Sequence, residues 1–328
     1  MRNSNSILFV AVLALASLLS ACGGGGGSTG PSYTGVTTAA VIANGNAEPL
    51  ALESFSSGMN VGSSQNVASS VSVVNAAVRN PDAGIIVSRL IRASQTAAQG
   101  LVTTSTGGGR ATLVSIQQAM TPMTGGCGGS ASGSLTINDV TSDIYASIAF
   151  DSYCEAGVSL SGSMNFSLIL DSASADYGLM TMNFNNLRIT DAIESVVMSG
   201  SLRFDSMILS PTITINMLLQ DPVGKVYKMK DFVMTMGSGT DGTGDYADIS
   251  MSGRLYDPDY GYVELSTTVP MRVYLTDNWP SSGSYVLTGQ GNATVTLTAS
   301  PSGYQLDLDL NGDGIDDGTP VIGTWGST

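Results

Sequence analysis

Residues 144–150 have the sequence Ile144-Tyr-Ala-Ser-Ile-Ala-Phe150, in which every second residue is apolar and the residues between are polar or small. Successive side chains of a β-strand point to opposite faces, so this alternation predicts a strand with one buried face. The same two-residue period returns between Gly133 and the C-terminus in Leu135-Thr-Ile137, Met180-Thr-Met182-Asn-Phe184, Ile213-Thr-Ile215, Tyr285-Val-Leu287 and Val295-Thr-Leu297. Turn-forming residues separate these segments at short intervals, which favours hairpins and antiparallel pairing, because parallel strands need long crossovers.

A Ser-Gly pair that is followed by Ser or Arg and then by Leu or Met occurs four times along these segments, at Ser132-Gly133, Ser161-Gly162, Ser199-Gly200 and Ser252-Gly253. Glycine inside a strand usually marks a bulge or a sharp bend. The sequence therefore predicts a mainly β fold. We expect a long curved antiparallel meander, half-barrel or barrel-like, with a small N-terminal α-helical segment packed on it.

Residues 36–122 have a different composition, rich in Ala, Val, Ser and Gln. Apolar residues at Ile86, Leu90, Ala93 and Ala97 recur at helical spacing. We predict helices over residues 67–78 and 83–101 and a further short helix over 111–120. The predicted organisation is thus a helical segment at 36–122 and an antiparallel β domain at 123–328.

The N-terminus carries Arg2, an apolar run at residues 7–19 and then Leu19-Ser20-Ala21-Cys22. The run is short for crossing a hydrocarbon core of about 30 Å as a helix, although an N-terminal membrane anchor is the alternative. Leucine, two small residues and cysteine resemble the cleavage site of bacterial lipoprotein signal peptides. The resemblance implies that residues 1–21 are removed and that Cys22 carries a covalent lipid.

Residues 22–35 are rich in glycine and serine and are expected to form a flexible, lipidated tether. Cys22 is followed by Gly23 rather than by aspartate. In this respect the chain resembles lipoproteins that are sorted to the outer membrane. The expected location is therefore the outer membrane, by lipid anchor, with the body facing either the periplasm or the cell surface.

Charge and composition exclude several classes of function. The chain has 12 basic and 26 acidic residues, a net charge of −14 that argues against nucleic-acid binding. It has no histidine, which removes Ser-His-Asp and Cys-His catalysis and most zinc sites. We find no catalytic constellation and expect no enzymatic activity.

Cys127 and Cys154 are the cysteines that remain if Cys22 is lipidated. An exported protein folds in an oxidising compartment, where these two thiols are expected to form a structural disulfide.

Near the C-terminus stands Asp309-Leu-Asn311-Gly-Asp313-Gly314-Ile-Asp316-Asp317. The Asp-x-Asn-x-Asp-Gly spacing resembles the first half of EF-hand-like calcium loops, as in dockerins and thrombospondin type 3 repeats. The resemblance implies a structural calcium site with Asp309, Asn311, Asp313, the Ile315 carbonyl and Asp317 as ligands. Pro320 stands where such a loop has its glutamate, and a plain hairpin loop is the alternative, because Asn-Gly and Asp-Gly form turns.

Three stretches together resemble uncharacterised exported lipoproteins of Gram-negative bacteria: residues 41–47, the segment from Cys127 to Cys154 and the ending from Trp279 to Trp325. The resemblance implies a cellular location and a fold but no activity. We expect a membrane-anchored lipoprotein with a non-enzymatic structural or surface-interaction role and an envelope or surface protein as partner. The alternative is a carrier that encloses an apolar ligand, of unknown identity, in a curved-sheet cavity.

Overall fold

The computed structural model describes residues 30–62 and 116–325, apart from gaps at 139–140, 142, 156, 171–176, 191–194, 208–210, 275 and 278. Within these ranges the chain forms one α-helix, α1 (Ala47–Gly62), and 14 strands. The strands are β1 (Ile116–Thr124), β2 (Gly128–Ile137), β3 (Ile144–Glu155), β4 (Val158–Leu170), β5 (Tyr177–Thr190), β6 (Ser195–Asp205), β7 (Thr212–Gln220), β8 (Val226–Thr240), β9 (Asp245–Asp257), β10 (Gly261–Tyr274), β11 (Ser282–Thr288), β12 (Thr294–Ser300), β13 (Gly303–Asp309) and β14 (Val321–Thr324).

Every strand pairs with the next strand along the chain, in the order β1 to β14. All of these pairings are antiparallel, as hairpin connections require. Within the described residues β1 does not pair with β14, so the sheet stays open. The predicted mainly β antiparallel meander is confirmed.

One face of this sheet is the core. In β3 the side chains of Ile144, Ile148 and Phe150 are buried, whereas Tyr145 and Ser147 between them are exposed. The same alternation continues across the sheet, and the buried side chains of all but the edge strands join one apolar cluster. Its largest fully buried members include Met164, Met182, Leu187, Phe232 and Tyr285.

The strands bend at a line of irregular positions that runs across the sheet. Gly162, Gly200 and Gly253 have φ of 106°, 133° and 131°, a region that L side chains rarely adopt. A Cβ atom on Gly162 or Gly200 would collide with the carbonyl oxygen of Asn186 or Asn216 on the neighbouring strand. These three glycines of the predicted Ser-Gly pairs therefore lie at sites where bulges bend and twist the strands.

The fourth pair behaves differently, because the φ of Gly133 is not in the positive region, although β1 is bulged opposite it between Met120 and Met123. The missing side chain of Gly133 lets the carbonyl group of Ser147 approach closely.

The N-terminal segment adds a short strand-like stretch and α1 to the sheet. The amide of Ala40 donates to the carbonyl oxygen of Tyr262 over 2.8 Å, and the amide of Tyr262 donates to that of Thr38 over 2.9 Å. In α1, Leu50 and Ala51 are fully buried, and the Tyr285 hydroxyl donates to the Ala51 carbonyl oxygen over 2.6 Å. The helix is thus packed on the core face, as predicted for a small N-terminal helical segment.

The predicted helical segment at 36–122 differs from the structure in its detail. The short helix expected over 111–120 is wrong, because residues from Ile116 onward form β1 and pair with β2 as far as Thr124. Gln and Ala are good helix formers, but the open edge of β2 overrides that weak preference. The helices expected over 67–78 and 83–101 lie outside the described residues.

Candidate functional site

Cys127 and Cys154 form a disulfide, with their Cα atoms 5.0 Å apart. Cys127 lies in the turn between β1 and β2, and its amide donates to the Cys154 carbonyl oxygen over 3.0 Å. The bond therefore ties the β1–β2 turn to the end of β3, and it supports the pairing expected from the sequence. Cys22, the expected lipid attachment site, lies outside the described residues.

The acidic loop after β13 is organised around the carboxylate of Asp309, which is 5% exposed. One of its oxygens accepts the amide of Gly312 at 2.7 Å, and the other accepts that of Gly314 at 2.8 Å. Burial opposes ionisation of this group, but amide donors from Gly314, Gly312, Asp313 and Asn311 outweigh it and lower the pKa of Asp309. The loop thus holds a negative charge at its centre.

The side chains of Asn311, Asp313 and Asp317, which are also predicted calcium ligands, accept hydrogen bonds from amides of the loop itself. The side chain of Asn311 accepts the Asp313 amide at 2.9 Å, and that of Asp313 accepts the Ile315 amide at 2.9 Å. Asp317 accepts the amide of Leu310 at 2.8 Å. In the part of the chain that the structure describes, no three acidic, cysteine or histidine side chains are placed to hold a metal. The geometry fits a turn in which side-chain oxygens accept hydrogen bonds from backbone amides. Calcium binding stays a prediction.

A pair of carboxyl groups, a buried aspartate and a partly buried glutamate, joins α1 to the sheet. Asp257, at the end of β9, is 3% exposed and accepts the amides of Asp259 and Tyr260 at 2.7 and 2.9 Å. Glu53 of α1 lies within hydrogen-bonding reach of Asp257. Burial, the negative charge of Asp257 and this hydrogen bond raise the pKa of Glu53 to about 8, while Lys225 opposes the shift. Glu53 is therefore protonated at neutral pH and donates to the Asp257 carboxylate.

The surroundings of this pair are also polar and partly buried. The Tyr33 hydroxyl donates to the Asp257 carbonyl oxygen over 2.8 Å, and burial next to Asp257 raises the pKa of Tyr33 to about 12. Lys225 forms an ion pair with Asp259. Carboxyl groups that hydrolyse glycosidic bonds stand about 5 Å or more apart, with the substrate between them. Since Glu53 and Asp257 share a hydrogen bond, we interpret the pair as a structural contact. The backbone carbonyl oxygen of Asp257 also binds Tyr33, a residue of the stretch that was expected to form the flexible tether.

The outer face of the sheet, opposite the core, carries a shallow cleft of about 370 Å³ over β2–β5. We call it the polar cleft, and its outward-facing residues include Ser134, Thr136, Tyr145, Ser147, Asn165 and Asn183. Alternation in the sequence predicted that Thr136, Tyr145, Ser147 and Asn183 are exposed. It did not predict the register that places them side by side.

Cross-strand register forms two rows of polar side chains that cross the polar cleft and continue beside it on β6. The first row contains directly paired residues of β2–β6, namely Ser134, Ser147, Asn165, Asn183 and Ser201. The second contains Thr136, Tyr145, Ser167 and Thr181 of β2–β5 and continues on β6 at Arg203, which forms an ion pair with Asp205. The tyrosine ring is 46% exposed and is the only aromatic side chain in these two rows.

The outer face of β8–β10 differs from the polar cleft, because its long side chains bind one another. Arg272 donates to both carboxylate oxygens of Asp248 over 2.9 Å and lies 3.6 Å from the centre of the Tyr246 ring. Arg254 forms an ion pair with Glu264 and lies 4.1 Å from the centre of the Tyr262 ring.

Among the described residues, no helix is long and apolar enough to cross a membrane. Comparison of the chain with protein-family models, with curated proteins and with solved structures finds no match.

Proposed function

We propose that the protein is a lipoprotein anchored to the outer membrane through Cys22, with a non-enzymatic role as a β-sheet body that binds a partner on its outer face. The observation that carries this proposal is the asymmetry of the sheet. One face is filled by the chain's own buried side chains, and the other offers rows of polar side chains around a cleft.

The lipid anchor is inferred from the N-terminal sequence that ends at Cys22. Two properties of the folded body are consistent with export. The disulfide between Cys127 and Cys154 suits an oxidising compartment. The net charge of −14 favours solubility in an exported protein. Calcium bound by the loop from Asp309 to Asp317 would add stiffness at one end of the sheet.

The carrier alternative requires an apolar cavity that encloses its ligand. The cleft on β2–β5 is instead lined by hydroxyl and amide groups and lies on the outer face. Side chains such as Phe232 and Tyr285 occupy the core face. These observations favour the interaction role.

Metabolic labelling with palmitate in a Gram-negative host tests the anchor. The natural chain should incorporate label and sediment with the outer membrane, whereas Cys22→Ser should do neither. Cys154→Ser removes a cysteine of the disulfide and serves as the matched control, which should still be labelled. An unlabelled natural chain would refute the anchor. Mass spectrometry of the purified chain tests the role, because a stoichiometric apolar ligand would favour the carrier.

A further inference from the structure

We propose that the polar cleft on β2–β5 binds a neutral polysaccharide laid across the strands. The inference deepens the proposed interaction role and rests on it, because it names the chemical class of the partner. Three observations on the polar cleft support the inference: the chemistry of its side chains, their hydrogen-bonding state and their lack of charge.

The chemistry of the cleft matches that of a sugar chain. The Ser and Thr hydroxyls each donate one hydrogen bond and accept others, and the Asn amides both donate and accept. The hydroxyl groups of a sugar have the same dual capacity. The exposed ring of Tyr145 lies in the second row and provides a flat apolar surface with a polar tip, against which the C–H face of a sugar ring can pack.

The two asparagines of the cleft are free to bind. Within the described part of the chain, the side chains of Asn165 and Asn183 make no hydrogen bond, although they lie directly opposite each other in mid-strand. Asparagine is depleted in strands, so two exposed ones at a paired position are unusual. The asparagines at the bulges contrast with them: Asn186 accepts from the Ser199 hydroxyl at 3.0 Å, and Asn216 accepts from the Asp231 amide at 2.8 Å.

The spacing of the rows suits a polymer. Neighbouring strands are about 4.8 Å apart, so the first row, which crosses five strands from Ser134 to Ser201, extends over roughly 19 Å. A linear chain laid perpendicular to the strands meets one hydrogen-bonding side chain on each strand. The sheet thus offers a repeated site rather than a closed pocket for one small molecule.

The charges in and around the cleft favour a neutral polysaccharide over a charged one. Among the described residues that line the cleft, the Tyr145 phenol is the only ionisable group, and Arg203 beside the cleft is already paired with Asp205. The molecule as a whole is acidic. A polyanionic glycan would find only the ion-paired Arg203 at the margin of the cleft and would be repelled by the net charge. An extended peptide would pair with a strand edge, whereas the strands beneath the cleft are already hydrogen-bonded on both sides.

Affinity electrophoresis of the full chain, purified from whichever cell fraction contains it, tests the proposal. The gels contain dextran, laminarin, galactomannan or hydroxyethylcellulose as neutral probes and alginate as the anionic comparator. We expect at least one neutral polysaccharide to retard the chain and alginate to leave it unretarded. Tyr145→Ala and the double variant Asn165→Ala/Asn183→Ala should each weaken binding about tenfold.

Tyr260→Ala is the matched control, because Tyr260 is a similarly exposed tyrosine in the β9–β10 turn, away from the cleft. It should bind as the natural chain does, and the melting temperature of each variant verifies that it is folded. Retardation by no neutral probe, by alginate alone, or equally in folded cleft variants would overturn the proposal. Palmitate labelling of the same chain reports on the anchor separately, so a labelled chain that binds no glycan refutes the cleft and leaves the anchor standing.

Discussion

Replacing Glu53 by glutamine should stabilise the protein at high pH. The carboxyl of Glu53 is protonated in the folded chain up to about pH 8, whereas its ordinary pKa is 4.5. Between these values the folded state binds a proton that the unfolded state has lost. The contribution of Glu53 to the free energy of unfolding therefore falls as the pH rises from about 4.5 to 8. Glutamine keeps a hydrogen-bond donor next to Asp257 but does not ionise.

The size of the effect follows from the two pKa values. A difference of about 3.5 between them, at about 1.4 kcal/mol per unit, sets a ceiling of about 5 kcal/mol. Glu53 is only partly buried and shares its proton with a second carboxylate, so solvent screening reduces the figure. We expect Glu53→Gln to be more stable than the natural chain by about 2 kcal/mol at pH 9 and to match it at pH 5.

Urea unfolding of the full chain at pH 5, 7 and 9 measures this difference, with the free energy extrapolated to water at each pH. Glu48→Gln is the control, because Glu48 lies on the same helix but accepts the hydroxyl of Tyr304 at 2.6 Å instead of facing Asp257. It should keep the pH dependence of the natural chain. If the natural chain and Glu53→Gln lose stability in parallel from pH 5 to 9, the pair of carboxyl groups is not the cause.

Three further outcomes test other parts of the structure. Cys154→Ala should lower the free energy of unfolding by about 3 kcal/mol under oxidising conditions, and the difference from the natural chain should vanish with reductant. Gly200→Ala should cost about 2–4 kcal/mol in urea unfolding, since φ is 133° and the neighbouring strand is close, whereas Gly242→Ala, with open space around it, should cost little. If the loop binds calcium, millimolar calcium should raise the melting temperature of the natural chain and of Asp277→Asn but not of Asp309→Asn. An unchanged melting temperature would leave the loop a plain turn.

The fold could be predicted from the sequence because its signals are local. Alternation at residues 144–150 gives the buried face of β3, and the short turns on either side dictate antiparallel neighbours. The glycines of the Ser-Gly pairs indicated bends, and Gly162, Gly200 and Gly253 lie at them. The helix predicted over residues 111–120 was wrong because the local signal is weak there. Residues 116–120 have no strong preference of their own and form a strand by pairing with the edge of β2.

The candidate sites depend on contacts that no local pattern contains. Glu53 and Asp257 are far apart in the sequence, and each is an ordinary polar residue in its own element. Their proton is shared only because α1 packs beside the end of β9. The polar cleft is a similar case: each of its serines and asparagines alternates with an apolar neighbour, which any exposed strand residue can do. Only the register of Asn165 against Asn183, set by the antiparallel pairing of β4 with β5 next to the bulge at Gly162, turns scattered polar residues into a surface that can bind a chain.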